Sequence, residues 1–192
     1  VTGPGGVTAR LLGIPLVIHE QNSLPGLPNR WLAHIATQVL EAFPGSFPAG
    51  RALVCGNPVR LDISTLPEPD ERLAGRQGPL RLLVLGGSQG AQALNTQVPA
   101  GLAQIPLELR PEVCHQAGRG KREQTIAAYT AAGVVAEVEE FVSDMAQAYG
   151  WADLVICRAG ALTVSELAAA GLGALLVPYP QAVDDHQTHN AQ

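Results

Sequence analysis

From residue 80 onward, short apolar runs alternate with longer mixed stretches. The apolar runs fall near 80–85, 112–116, 134–138, 153–157 and 174–178. The mixed stretches near 90–104, 121–132, 143–150 and 163–170 have helical composition. Strand and helix alternating at this spacing predict βαβ units and a parallel sheet, hence an α/β fold. Several of the strand-like runs are continuously apolar, as expected where helices cover both faces of a sheet. Ligands of such sheets bind beyond the carboxyl ends of the strands. His19 to Asn22, Gly86 to Gly90, Phe141 to Asp144 and Arg158 to Thr163 all occupy such ends.

Before residue 80 the pattern is looser. Leu16-Val17-Ile18 reads as a strand ending in His19-Glu20-Gln21-Asn22, with a helix following from Pro28 to Ala36. Val39-Leu40 and Leu53-Val54-Cys55 read as two more short strands, separated by the turn formers of Phe43 to Pro48. The polar, proline-containing stretch from Asn57 to Pro79 reads as a boundary and linker. Val1 to Gly6 reads as opening inside a loop, and His186 to Gln192 as stopping inside the start of a helix. The expectation is therefore a piece of a longer protein.

Composition narrows the classes. With 46% hydrophobic and only 15% charged residues over 192 positions, the chain can bury a core and does not read as disordered. A net charge of −5 without a basic stripe argues against nucleic acid as a main partner. No apolar run has the length of a membrane span, and no secretory leader is visible. Cys55, Cys114 and Cys157, without CxxC spacing, read as reduced, buried thiols.

Four clusters could carry chemistry. In Gly86-Gly87-Ser88-Gln89-Gly90-Ala91, glycines let the backbone approach a phosphate and Ser88 offers a hydroxyl. The pattern is not a full G-x-G-x-x-G, and Val113-Cys114-His115-Gln116 lacks the acidic strand end that holds an adenine ribose, so a nicotinamide cofactor is disfavoured. In Arg158-Ala159-Gly160-Ala161-Leu162-Thr163-Val164-Ser165-Glu166 a strand gives way to a helix start, which favours anions. There Thr163 and Glu166 have capping-box spacing; alternatively the Glu166 carboxylate accepts from two ribose hydroxyls. In Asp184 to Asn190, His186 and His189 could share a helix face as metal ligands, while the Gln187 and Asn190 amides suit sugar hydroxyls. His19 is a general base or a structural histidine, and Arg60 a diphosphate partner or an exposed linker residue.

These stretches, together with Gly3-Pro4-Gly5-Gly6, Gly56-Asn57-Pro58-Val59-Arg60 and Phe141-Val142-Ser143-Asp144-Met145, resemble the bacterial MurG family of glycosyltransferases, in order through nearly the whole chain. The resemblance implies a GT-B fold of two Rossmann-like domains. Residues 1–56 would end an acceptor domain and 57–192 would form the donor domain. It implies inverting transfer of N-acetylglucosamine from UDP-N-acetylglucosamine to a lipid-linked acceptor (lipid I to lipid II) in peptidoglycan synthesis, without metal or cofactor. Val142 would hold uracil through its backbone and Glu166 the ribose. Ser88, Arg60 and the helix start Ala161, Leu162 and Thr163 would face the diphosphate. Asn22, Gln187 and Asn190 would read the sugar. The family is peripheral on the cytoplasmic face of the inner membrane, and Arg10, Leu11 and Leu12 are a weak trace of that surface, or ordinary helix residues. The family's glycine-rich loop, with its proposed catalytic histidine, is absent from this sequence, so the catalytic base is unassigned and weak donor binding without turnover is expected. A UDP-sugar epimerase, or a donor-binding subunit needing a partner chain, are the alternatives.

Overall fold

A computed structural model describes residues 2–87, 91–179 and 185–192. The chain divides into two compact units. The first holds the described residues up to Pro58 together with Ala159–Ser165 and those of 178–192; the second holds Val59–Arg158 and Glu166–Val177.

In the second unit, β4 (Arg81–Leu85), β5 (Glu112–Gln116), β6 (Glu137–Glu139), β7 (Leu154–Cys157) and β8 (Gly173–Leu176) form one parallel sheet in the order β6-β5-β4-β7-β8. Side-chain alternation on these strands feeds two cores, because successive residues point to opposite faces. Leu82, Val84, Val113 and Val138 pack against α5 (Gln92–Leu102) and α6 (Arg122–Ala131). Leu83, Leu85, Val155 and Cys157 pack against α7 (Met145–Trp151) and α8 (Ala161–Ala169). With both faces of the central strands covered, apolar residues are favoured at successive positions, which is why β4 and β7 were readable as continuous runs.

The strand expected at 134–138 lies three residues later. The α6 terminus takes the first of those residues: Gly133 adopts a positive φ of 62°, and the Val134 N–H closes onto the Tyr129 carbonyl at 3.0 Å. A left-handed glycine ending a helix in this way is a common C-cap.

The stretch read as a linker is part of this unit's fold. It contains α3 (Leu61–Ser64) and α4 (Pro69–Leu73). Ile63 is fully buried beside Leu83, Tyr149 and Val155. Arg76 and Arg81 both reach Asp153: the Arg76 Nε donates to Oδ1 at 2.8 Å, and the Arg81 N–H to Oδ2 at 2.7 Å. These hydrogen bonds, that from Arg76 foremost, hold the Asp153 carboxyl below its usual range. Local composition suggested a linker because helices this short take their stability from packing rather than from propensity.

The first unit is a three-stranded parallel sheet of β1 (Val17–Glu20), β2 (Gln38–Glu41) and β3 (Leu53–Val54). Its core gathers Ile18, Leu32, Ala33, Val39 and Phe47, with α2 (Leu27–Leu32) contributing Leu32. The opening glycines do not form a loop. Residues Thr2–Leu11 are helical, forming α1. Gly6 explains the misreading, since a Cβ there would lie 2.7 Å from Leu32 Cδ2; the glycine serves close helix packing rather than a turn. The cysteine expectation needs correcting at one position: Cys157 is buried, Cys114 partly so, and Cys55 is exposed. Burial pushes the Cys157 thiol up to about 12 and, with Glu137 and Glu139 nearby, Cys114 to about 11, so both stay protonated and unreactive near neutral pH.

Candidate functional site

In the order β6-β5-β4-β7-β8, chain direction across the sheet reverses between β4 and β7. Crossovers leave in opposite directions there, which opens a crevice at the carboxyl ends of the two strands. The loop leaving Leu85 is the glycine turn at Gly86 and Gly87, with Gly87 at a φ of 75°. The loop leaving Cys157 leads through Arg158 into α8. Ser88, assigned to the diphosphate, lies outside the described residues.

Three other sequence-assigned residues belong to the second unit. Glu166 on α8 is half-buried, and its Oε2 accepts a hydrogen bond from the Tyr149 hydroxyl at 3.0 Å. Oε1 has no partner among the described residues. Tyr149 is completely buried, and burial together with the Glu166 charge drives its pKa far above the usual tyrosine value. The phenol is therefore a permanent donor to the carboxylate. Arg60, at the N-cap of α3, is exposed and within electrostatic range of Tyr149; its Nε stands 3.8 Å from Asp62 Oδ1. Val142 is buried, and its N–H donates to Gln116 Oε1 at 2.9 Å. Only its carbonyl is left to pair with a ligand.

Thr163 does not cap α8. The helix already begins at Ala161, where the Val164 N–H reaches the Gly160 carbonyl at 2.9 Å. The capping-box reading of Glu166 fails for this reason, and its carboxylate faces Tyr149 instead. The N–H groups of Ala161, Leu162 and Thr163 are those that an α-helix leaves without an internal acceptor.

Within the first unit, the end of β1 is held by one carboxylate. Glu20 is buried and accepts from Asn22 N–H at 3.0 Å, Asn22 Nδ2 at 3.2 Å, Gly26 N–H at 3.1 Å and Asn29 Nδ2 at 2.9 Å. The Asn22 side-chain oxygen accepts in turn from Asn190 Nδ2 at 3.2 Å. Asn190, on α9 (His186–Asn190), is 5% exposed. Its Oδ1 accepts from the Ser23 N–H and hydroxyl, and its Nδ2 also donates to the Ala159 carbonyl. All four positions of that amide are taken by protein partners. Asn190 thus ties the segments around Asn22, Ala159 and α9 together, and its amide reaches no ligand without exchanging a partner. Gln187 Oε1 accepts from the Tyr179 N–H at 2.9 Å. His19 Nε2 donates to the Gly56 carbonyl at 3.0 Å, the structural alternative for that histidine. Among the described residues, no group of three or more His, Cys, Asp or Glu converges to hold a metal ion.

Residues 81–192 match the glycosyltransferase family 28 C-terminal domain, and residues 1–41 the glycosyltransferase family 28 N-terminal domain. The chain belongs to glycosyltransferase family 28. It is 61% identical, over its full length, to the UDP-N-acetylglucosamine--N-acetylmuramyl-(pentapeptide) pyrophosphoryl-undecaprenol N-acetylglucosamine transferase of Marinobacter nauticus, of which it covers 53%. It is 58% identical to the enzyme of that name from Xylella fastidiosa, covering 52% of it. The crystal structure of Acinetobacter baumannii MurG superposes with a TM-score of 0.86 at 46% identity, matching 99% of this chain and 53% of that one. The chain spans about half the length of the curated relatives it matches. Parallel sheets flanked by helices, with this likeness, give the GT-B α/β class of family 28.

Sequence reasoning missed three contributors in this family 28 chain. Tyr149 was not singled out, and Gln116 was weighed only for lacking a charge. Asn57 was seen only as part of a junction motif, yet its Nδ2 donates to the Gln21 carbonyl and the Ser165 hydroxyl while its Oδ1 is buried without a partner among the described residues. None of the three has a local sequence signal, since each partner is distant along the chain.

Proposed function

We propose that this chain is part of an inverting N-acetylglucosaminyltransferase that moves N-acetylglucosamine from UDP-N-acetylglucosamine onto undecaprenyl-pyrophosphoryl-MurNAc-pentapeptide (lipid I to lipid II) in peptidoglycan synthesis. Residues 57–192 are read as the donor domain and 1–56 as the end of the acceptor domain. The observation that carries the reading is Glu166: one carboxylate oxygen is fixed by Tyr149 and the other lacks a partner among the described residues, on the helix that follows the crevice strand β7. A vicinal ribose diol supplies two donors for such an acceptor.

The chemistry follows from charge. The acceptor hydroxyl attacks the anomeric carbon, the bond from that carbon to the diphosphate oxygen breaks, and negative charge grows on the departing UDP. The free N–H groups at Ala161, Leu162 and Thr163, the Ser88 hydroxyl and the Arg60 guanidinium are the groups suited to that charge. The Val142 carbonyl is suited to the uracil N–H, and Asn22, Gln187 and Asn190 to ordering the sugar end. No residue of this chain is assigned as the base that takes the hydroxyl proton. The relatives are named as transferases, which favours transfer over epimerisation.

Peripheral attachment to a membrane, read here as the cytoplasmic face of the inner membrane by likeness to the family, draws support for surface contact from the apolar side chains in and beside α1 and α2 that lie in solvent. Leu11 is 82% and Trp31 75% exposed, with Leu12 and Leu27 also exposed, and Arg10 and Arg30 lie beside them in sequence. No helix among the described residues is long and apolar enough to cross a membrane.

The test is calorimetric titration of the chain with UDP, UDP-N-acetylglucosamine and other nucleotides. Uridine diphosphates should bind in preference to the rest. Glu166→Ala should weaken UDP by about tenfold, as expected for the loss of hydrogen bonds to a charged acceptor. An unchanged UDP affinity in that variant would remove the ribose assignment.

A further inference from the structure

We propose that Tyr149 is a positioning residue for nucleotide recognition: its hydroxyl pins one oxygen of Glu166 so that the other is presented to the ribose. The inference rests on the ribose reading of Glu166 given above.

The two side chains come from different helices. Tyr149 stands on α7, with its ring among Ile63, Leu83, Leu85 and Val155 and no exposure to solvent. Glu166 stands on α8 and is half-buried. A buried phenol needs a partner for its O–H. Here the partner is a carboxylate rather than a backbone carbonyl, and the O···O distance is 3.0 Å. Hydrogen bonds to an ionised acceptor are stronger and more directional than those between neutral groups.

The backbone around the pair is held as well. Arg72 on α4 donates from Nη1 to the Tyr149 carbonyl at 3.2 Å, and from Nη2 to the carbonyl of Ala170, just beyond α8. One guanidinium therefore ties the C-terminal ends of the two helices that carry the pair. The remaining freedom is the rotation of the Glu166 side chain, and the Tyr149 hydroxyl removes it. A planar carboxylate with one oxygen fixed offers the second in a set direction. Pre-setting that direction lowers the ordering cost of binding a diol.

A tyrosine that only fills the core would lend stability and nothing else. The two roles separate in ribose selectivity. The chain, Tyr149→Phe and Glu166→Ala are each titrated calorimetrically with UDP, 2′-deoxy-UDP and 3′-deoxy-UDP. Tyr149→Phe keeps the ring and removes the hydroxyl. Expected is a loss of about fivefold to tenfold in UDP affinity, little change for the deoxy nucleotides, and so a smaller ratio between them. All nucleotides are titrated into one preparation, so the ratio is insensitive to any loss of folded protein. If Tyr149→Phe leaves the ratio at its original value while Glu166→Ala collapses it, the positioning role is overturned and the ribose reading stands. If Glu166→Ala also leaves the ratio intact, the ribose reading itself falls, and this inference with it.

Discussion

Glu20, buried at the end of β1, and Glu166, half-buried on α8, are carboxylates that their surroundings treat in opposite ways. Glu20 accepts four hydrogen bonds from Asn22, Gly26 and Asn29. Glu166 has one among the described residues, from Tyr149. The saturated carboxylate shapes a loop: it spends its whole acceptor capacity on the segment that follows β1. The unsaturated one is fixed at one oxygen and available at the other, which is the condition for meeting a ligand. A carboxylate beside a candidate site therefore says little until its acceptor positions are counted.

The comparison breaks most sharply at Glu20. Glu20→Ala should destabilise the first unit by about 4 kcal/mol, because it strands two backbone and two amide donors in a buried place. Urea unfolding monitored by the fluorescence of Trp31 would show it, and a loss below about 1 kcal/mol would mean that water replaces the carboxylate.

A second saturated network tests whether saturation in the other unit has the same consequence. Asn95 Nδ2 donates to the Ala117 carbonyl at 3.0 Å, so its oxygen faces His115 Nε2, which must carry the proton; His115 Nδ1 then accepts from Tyr129 at 2.8 Å. Burial lowers the His115 pKa from 6.5 to about 4. The unfolded chain thus binds a proton that the folded chain refuses between those values. Stability from this group is fully present above pH 6.5 and falls by about 3 kcal/mol as the pH drops toward 4. Denaturation midpoints measured from pH 7 to 4 should follow that fall, and His115→Gln should flatten it.

The smallest effect sharpens the contrast between shaping and binding. Asn190→Ala should cost about 2 kcal/mol of stability by freeing the Ser23 and Ala159 groups, yet leave the ratio of UDP to 2′-deoxy-UDP affinity unchanged. A changed ratio, read by calorimetry, would show that the saturated network also reaches the ribose end.

Legibility followed the range of the interactions. The strands at 81–85 and 154–157 were readable because a sheet covered on both faces demands continuous apolar runs. The glycine turn after Leu85 and the helix start after Arg158 were readable as types, since small residues at a strand-to-helix junction have a local steric reason. Gly6 misled, because the same residue type serves a turn or a close helix contact, and only Leu32 decides between them. Pro67 and Pro69 suggested a linker, whereas the burial of Ile63 makes α3 and α4 part of the core. Thr163 and Glu166 had capping spacing, but α8 starts two residues earlier and Tyr149 takes the carboxylate.

By itself the sequence determined the α/β class, the parallel order of alternation and the positions of the small-residue strand-to-helix turns, because hydrophobic period and glycine sterics act over a few residues. Only the tertiary structure decided which polar groups are already satisfied and which are left open. That distinction depends on partners such as Tyr149 and Glu166, or Asn22 and Asn190, whose separation along the chain carries no local pattern. Hydrogen-bond capacity is short-ranged in space and indifferent to sequence distance, so it is settled only when the chain has folded.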